Sequence, residues 1–397
     1  MKVKSLFLSV CAIAALASCS KSEEMVAPIG SEAAEAKVTL KLEGDGVATR
    51  AVEDATEDGA KLKDVTVFFF NPTGFIVGAP KYIAADKISD PIKTTTDAAE
   101  VVVIANLGSD QTASTFKNIS SLSQLKALDF SSITGANINQ SKTNLYSSGA
   151  GEITFNENTG TAEVKLHFVS ARVKTVKISW NANQNYAATE NELTTTPGKW
   201  FAIKQVYMMT AQTNSPLIPS NTVDASWGGF VPQSYAFAGG VAWGVAPWTW
   251  SDNSIAAPTQ TNDYLVTPMP AATGDAITNV LGDAWYMFEN PAASGHQTGL
   301  VVEVLWRSKV DSQDANDILT KYFTVYFGEK AGATTQPLLK AGNTYDMAIG
   351  LKGDFKPGGN AGGGGDDPSK PSVEATVTVT VTPAQWTTTA EISKDFQ

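Results

Sequence analysis

Cysteine, histidine and arginine are all scarce in this chain. Its 397 residues include two cysteines, Cys11 and Cys19, and two histidines, His167 and His296. Both cysteines fall within the first 19 residues, so the rest has no thiol for a disulfide, a thiolate metal site or a cysteine nucleophile. Histidine triads, imidazole metal centres and histidine general bases all need placed partners around the ring. His167 and His296 lie far apart in sequence, and neither has a partner motif beside it. Arginine occurs only at Arg50, Arg172 and Arg307, and the net charge is -11. An acidic chain without a basic patch suits neither nucleic acid nor an anionic lipid surface. No phosphate-cradling glycine loop precedes a helical pattern, and the acidic pair Asp366-Asp367 sits in a linker. These absences argue against an enzyme, with no catalytic residue, no metal site, no cofactor and no nucleic-acid partner expected.

What is present begins with an export segment. Lys2 and Lys4 supply a positive start, and the apolar run from Leu6 to Leu16 is too short to span a bilayer as a stable helix. It ends in Leu16-Ala17-Ser18-Cys19, which resembles the lipobox of bacterial lipoproteins. Cys19 is then the lipidation site, and two or three acyl chains at roughly 0.8 kcal/mol per buried methylene anchor a protein stably. An ordinary secretory peptide containing a cysteine is the alternative.

Residues 20–36 are polar and read as a tether. Lys37 to Glu43 then alternates strictly, with Val38, Leu40 and Leu42 on one face, the pattern of a half-buried strand. Arg50-Ala51 leads into an acidic segment over 51–60. A second strand, Asp64 to Phe70, is apolar on both faces, and Asn71-Pro72-Thr73-Gly74 makes a turn into a return strand begun by Phe75 to Val77. Glu100 to Leu107 reads as an interior strand. Leu122, Leu125 and Leu128 predict a helix over 116–130. Strands follow at 152–155, 161–168 and 171–180, and an Asn/Thr/Gln-rich texture from residue 181 marks a domain junction. Further strands are expected near 200–209, 284–288, 299–307, 321–328 and 344–351. Strands dominate without strand–helix alternation, which favours an all-β sandwich class.

The tail is the most informative stretch. Lys352 to Ser372, with Pro357, Gly362 to Gly365 and Pro368, reads as a flexible linker. Beyond it, Val373, Ala375, Val377, Val379 and Val381 alternate with Glu or Thr. A strand on a tether of about 20 residues reaches up to ~65 Å when extended. It fits both an ordinary strand of its own domain and one that pairs elsewhere.

With these elements in order, the chain resembles the FimA-type and Mfa-type fimbrillins, subunits of the type V pilus. The likeness rests on Val65 to Asn71 with Gly74, on Val101 to Gly108, and on Leu145 to Gly149 followed by Val164 to His167 and Ala171 to Val176. The stretch Gly342 to Gly353 completes it, while His167 stands where the family usually has arginine. The resemblance implies two tandem transthyretin-like β-sandwiches over 51–182 and 183–353, after a signal peptide (1–19) and a propeptide (20–50), with a linker and donor strand over 354–397. It implies a lipoprotein precursor at the outer membrane that is cut after an arginine by a trypsin-like protease, here at Arg50-Ala51. Loss of the strand bearing Val38, Leu40 and Leu42 opens a groove, which Val373, Ala375, Val377, Val379 and Val381 of another copy refill. The implied partners are copies of itself in a head-to-tail filament, other pilus subunits, the outer membrane before maturation, and a host protein or glycan. Two alternatives stay open. One is an accessory or tip subunit of the same pilus. The other is a surface glycan-binding lipoprotein using Trp227, Tyr235, Phe237, Trp243, Trp248 and Trp250, which equally suit loop packing.

Overall fold

The run from Asp64 to Phe70 has no face to offer solvent, and the fold buries all seven of its residues. The computed structural model describes residues 33–44, 61–135, 140–181, 185–209, 211–212, 215–218, 235–236, 242–243, 264–290, 297–310, 312, 314–331, 334–352, 355–359, 364–366, 368 and 376–383. From Ala34 onward the chain clusters as one compact unit with two successive β cores.

The first core is built on strands β1 (Glu35–Gly44), β2 (Asp64–Phe70), β3 (Lys81–Ala84), β4 (Ile92–Thr95), β5 (Glu100–Ala105), β6 (Ser147–Asn156) and β7 (Thr159–Phe168). They form one sheet in the order β3-β2-β5-β6-β7-β1-β4. The sheet folds over itself at β6, between the pairs Ser148–His167 and Ile153–Ala162. A β-carbon on Gly149 or Gly151 would lie 2.1 or 2.2 Å from the carbonyl oxygens of Lys165 and Glu163, so only glycine lets β7 pass this close. Val65, Val67 and Phe69 of β2 and Val101, Val103 and Ala105 of β5 then meet Val164, Leu166 and the apolar face of β1. The opposite faces of β2 and β5, with Phe68, Phe70, Val102 and Ile104, are covered by Phe116, Leu125 and Phe130. That double coverage explains the unbroken apolar runs.

The second core takes β8 (Ser170–Ser179), β9 (Phe201–Met209), β10 (Ala211–Gln212), β11 (Tyr235–Ala236), β12 (Ala242–Trp243), β13 (Leu265–Val266) and β14 (Ala276–Ile277). It continues with β15 (Trp285–Phe288), β16 (Gly299–Arg307), β17 (Ile318–Tyr326), β18 (Lys330–Ala331), β19 (Thr334–Thr335), β20 (Asn343–Gly350) and β21 (Thr376–Pro383). Sheet β14-β8-β20-β21, with β15 also on β8, packs against sheet β13-β9-β16-β17. Val173, Val176, Ile203, Val206, Val302 and Met347 are among the side chains between them.

Three expectations change. The helix expected over 116–130 shrinks to α1 (Leu122–Lys126), capped by the Ser121 hydroxyl accepting from the Gln124 N–H. Serines at 120, 121 and 123 compete for the backbone and favour caps over helix interior, while Leu125 still reaches the core. The only other α-helix among the described residues is α2 (Glu190–Thr195). The change of core comes at Val169–Ser170, one strand ahead of the polar junction at residue 181, because β8 already pairs with β15 and β20. Finally, the linker is held at two places. Phe355 is fully buried, stacked on Phe201 at 4.4 Å between ring centroids, and its carbonyl accepts from Trp306 Nε1. Gly365 exchanges both backbone hydrogen bonds with Tyr322, and the Pro368 carbonyl accepts from Thr324 Oγ1 at 2.6 Å.

Candidate functional site

Strand β1 is separated from β2 in sequence by residues 45–63 and is an interior member of the sheet. On one side it runs parallel to β7, from Lys37 opposite Thr159 to Gly44 opposite Leu166. On the other it pairs antiparallel with the short β4, Val38 opposite Ile92. The alternation read from the sequence sets its faces. Ala36, Val38, Leu40 and Leu42 are buried, while Glu35, Lys37 and Lys41 point to solvent. Lys41 pairs with Glu163 at 3.2 Å on that exposed side.

The slot that holds β1 is therefore apolar inside and hydrogen-bonding along both rims. Its floor is Val65, Val67, Phe69, Val101 and Val103, and its flanks are Ile92, Ala162, Val164 and Leu166. Each buried Val or Leu of β1 contributes on the order of 1.5–3 kcal/mol. Without β1 the edge of β7 is bare, and β4 has no other strand partner in the sheet. Two lysines close the far seam: the Lys81 ammonium of β3 donates to the Lys93 carbonyl of β4, so the two sheet ends meet. Burial, then the charge of Lys93, holds the Lys81 ammonium below its usual range. At the start of β2, burial pushes the Asp64 carboxyl up, although it accepts from the Gly108 N–H at 3.0 Å.

The tail strand β21 lies beside β20 in its own chain, antiparallel, from Thr376 opposite Gly350 to Pro383 opposite Asn343. Val377, Val379 and Val381 are register partners of Ile349, Met347 and Tyr345. Of the two placements open from the sequence, the structure contains the intrachain one. Its neighbours Val373 and Ala375 lie outside the described residues, as do Cys19, Arg50, Ala51 and His296. Of the aromatic cluster, Trp227, Phe237, Trp248 and Trp250 also lie outside them, while Tyr235 and Trp243 are register partners in β11 and β12. His167 is half-buried on β7.

Sequence reasoning missed two parts of the slot. Strand β4 follows Pro91 and has only four residues, too few to show a period, yet it forms one rim. Gly160 interrupts the alternation of β7, and an isolated glycine in a strand pattern was the available signal of a close approach. Among the described residues no group of His, Cys, Asp or Glu is placed to hold a metal ion, and no helix is long and apolar enough to cross a membrane.

Residues 36–218 match the family model of the major fimbrial subunit protein, FimA. No curated protein sequence matches the chain. Among solved structures, a candidate cell adhesion protein of Bacteroides eggerthii shares 18% identity and a TM-score of 0.56, covering 90% of this chain and 98% of its own. Another, from Parabacteroides distasonis, shares 16% identity and a TM-score of 0.51, covering 89% and 100%. At these identities the structures establish a shared β fold over nearly the whole length. Over residues 36–218 the chain is similar to the FimA-type major fimbrial subunits, a likeness that supports a non-enzymatic, structural or adhesive role in cell-surface fimbriae.

Proposed function

We propose that the chain is a stalk subunit exported as an outer-membrane lipoprotein on Cys19 and polymerised by strand exchange after cleavage at Arg50-Ala51. The observation that carries this reading is the β1 slot. An interior strand near the start of the chain contributes one apolar face, and the links between it and the rest of the sheet are main-chain hydrogen bonds and side-chain burial. Any strand with apolar residues at the same two-residue spacing satisfies both. Val377, Val379 and Val381 repeat the spacing of Val38, Leu40 and Leu42. In its own chain the tail strand sits at a sheet edge with one neighbour. In the slot it gains two, β7 and β4.

The arginine distribution supports the cleavage site. Arg172 and Arg307 lie within β8 and β16, and Arg307 is buried with its guanidinium donating to the carbonyls of Lys199, Ser312 and Leu193. Arg50 belongs to the segment joining β1 to β2. Because the exchange is head-to-tail, assembly grows as an open filament.

An arginine-specific protease applied to the chain lacking residues 1–19 tests the reading. The expected result is a single early cut after Arg50, followed by filaments in electron micrographs that vanish when residues 373–397 are deleted. A cut protein that stays monomeric with its tail intact refutes it.

A further inference from the structure

Three large apolar side chains stand exposed among the described residues: Phe75 at 55%, Val310 at 66% and Leu319 at 40%. Their placement is polar with respect to the fold. In the first sandwich, Ala105, Ser147 and Phe168 mark the end that leads into β8, and Phe70 opposite Glu100 marks the other. Phe75 lies beyond Phe70, on the pole away from the second sandwich. In the second sandwich β8 and β20 run in parallel away from the first, from Arg172 and Thr344 to Ser179 and Gly350. Trp180, Phe201 and Phe355 pack at that far end. Beyond them lies a recess of about 260 Å³ whose lining includes Pro197, Trp200, Val310 and Pro357, with Lys199 and Lys356. One pole thus carries an exposed phenyl ring and the opposite pole a recess with an aromatic and two proline walls.

The tail sets how two copies meet, and this step rests on the strand-exchange reading. A donated strand that keeps the direction of β1 puts Val377 in the Val38 position and enters past Lys37, at the Phe75 pole of the acceptor. The donor's tail is pinned at Pro368 beside Thr324. Residues 369–375 span about 25 Å when extended. Thr324 stands six positions from Ile318, the end of β17 nearest the recess, and strand rise makes that about 20 Å. A tail still held at Pro368 therefore clears its own recess pole by only a few ångströms, so that pole must abut the acceptor's Phe75 pole.

We propose that in the assembled filament Phe75 of each acceptor seats in the Pro197–Trp200–Val310–Pro357 recess of the copy that donates its strand. The contact is heterologous, a knob on one pole meeting a pocket on the other, and does not close on itself. Stacking of Phe75 on Trp200 makes the two residues the anchor of the contact.

The chain without its export segment has no cysteine, so crosslinking is clean. Phe75→Cys/Val310→Cys subunits, matured at Arg50 and treated with a short bifunctional maleimide, are expected to give a ladder of covalent oligomers that neither single variant gives. Phe75→Glu is expected to slow filament growth at least tenfold while the monomer keeps its wild-type melting temperature. Tail-dependent filaments that form at the wild-type rate with Phe75→Glu and give no ladder overturn this contact alone. Wild-type protein that forms no filaments at all overturns it together with the strand-exchange reading.

Discussion

Val38 lies over the bare α-carbon of Gly160. The two are register partners across β1 and β7, and a β-carbon on Gly160 would come within 3.0 Å of Val38 Cγ2 and 2.7 Å of the Phe155 ring. The slot is thus shaped to the width of a valine at this point, and both Val38 and Val377 are valines.

Gly160→Ala is expected to destabilise the unprocessed chain by about 1–3 kcal/mol, the usual range for overpacking a filled site. The neighbours are the Phe155 ring and a methyl of the buried Val38, and neither gives way cheaply. Urea unfolding of the wild type and the variant checks this, and an unchanged midpoint refutes it. The same substitution should slow strand exchange in matured protein, because the incoming valine meets the same obstruction.

The two faces of β1 should differ sharply. Leu40→Ala removes a side chain that is 6% exposed in the slot and is expected to cost about 2–5 kcal/mol. Lys41→Ala breaks an ion pair whose side chains are 62% and 71% exposed, and should cost no more than about 0.5 kcal/mol. Midpoints from denaturant titrations that fail to separate the two variants would show that β1 is not bound through its inward face.

The sequence made the slot half legible. The alternation of Val38, Leu40 and Leu42 states both the strand and its buried face, and the two-sided apolar run of β2 states that it lies between two cores. Period-2 patterning carries no information on which strand lies beside which. The parallel pairing of β1 with β7, and the role of the short β4, arise from long-range contacts across more than 100 positions in the first case. The linker shows the limit of composition as a guide. Glycine-rich sequence around Phe355 and Gly364 reads as free chain, but glycine also permits close approach, and Gly364 sits where a β-carbon would be 2.8 Å from the Phe323 ring.

Phe355 offers a test of that anchored linker. Its ring is buried against Phe201 and Phe323, with centroids 4.4 and 5.9 Å away. Phe355→Ala is expected to cost about 3–5 kcal/mol, a core value and not a loop value. Loss of less than 0.5 kcal/mol in thermal or urea unfolding would show that the segment is the free tether its composition suggests.

Glu289 makes stability depend on pH. Its carboxyl is 4% exposed, where β15 meets the turn before β20. Oε2 accepts from the Ala341 N–H at 3.0 Å, while Oε1 is buried with no hydrogen-bond partner. Burial pushes its pKa up to about 7, against the opposing pull of the Ala341 hydrogen bond and the Lys340 charge. Nearby Tyr345, raised to about 12 chiefly by burial, stays protonated and donates to the Leu338 carbonyl. An unfolded glutamate has a pKa of about 4.3, so the folded state holds the proton more tightly. Stability from this group is complete below about pH 4 and is lost as pH rises toward 7, by an amount on the order of 3 kcal/mol. Glu289→Gln cannot ionise and keeps a polar group of the same shape. The variant should match the wild type near pH 4 and exceed it above pH 7, with a higher melting temperature. Parallel pH profiles of melting temperature for the two proteins would refute the assignment, because the difference between them isolates this one carboxyl from the rest of an acidic chain.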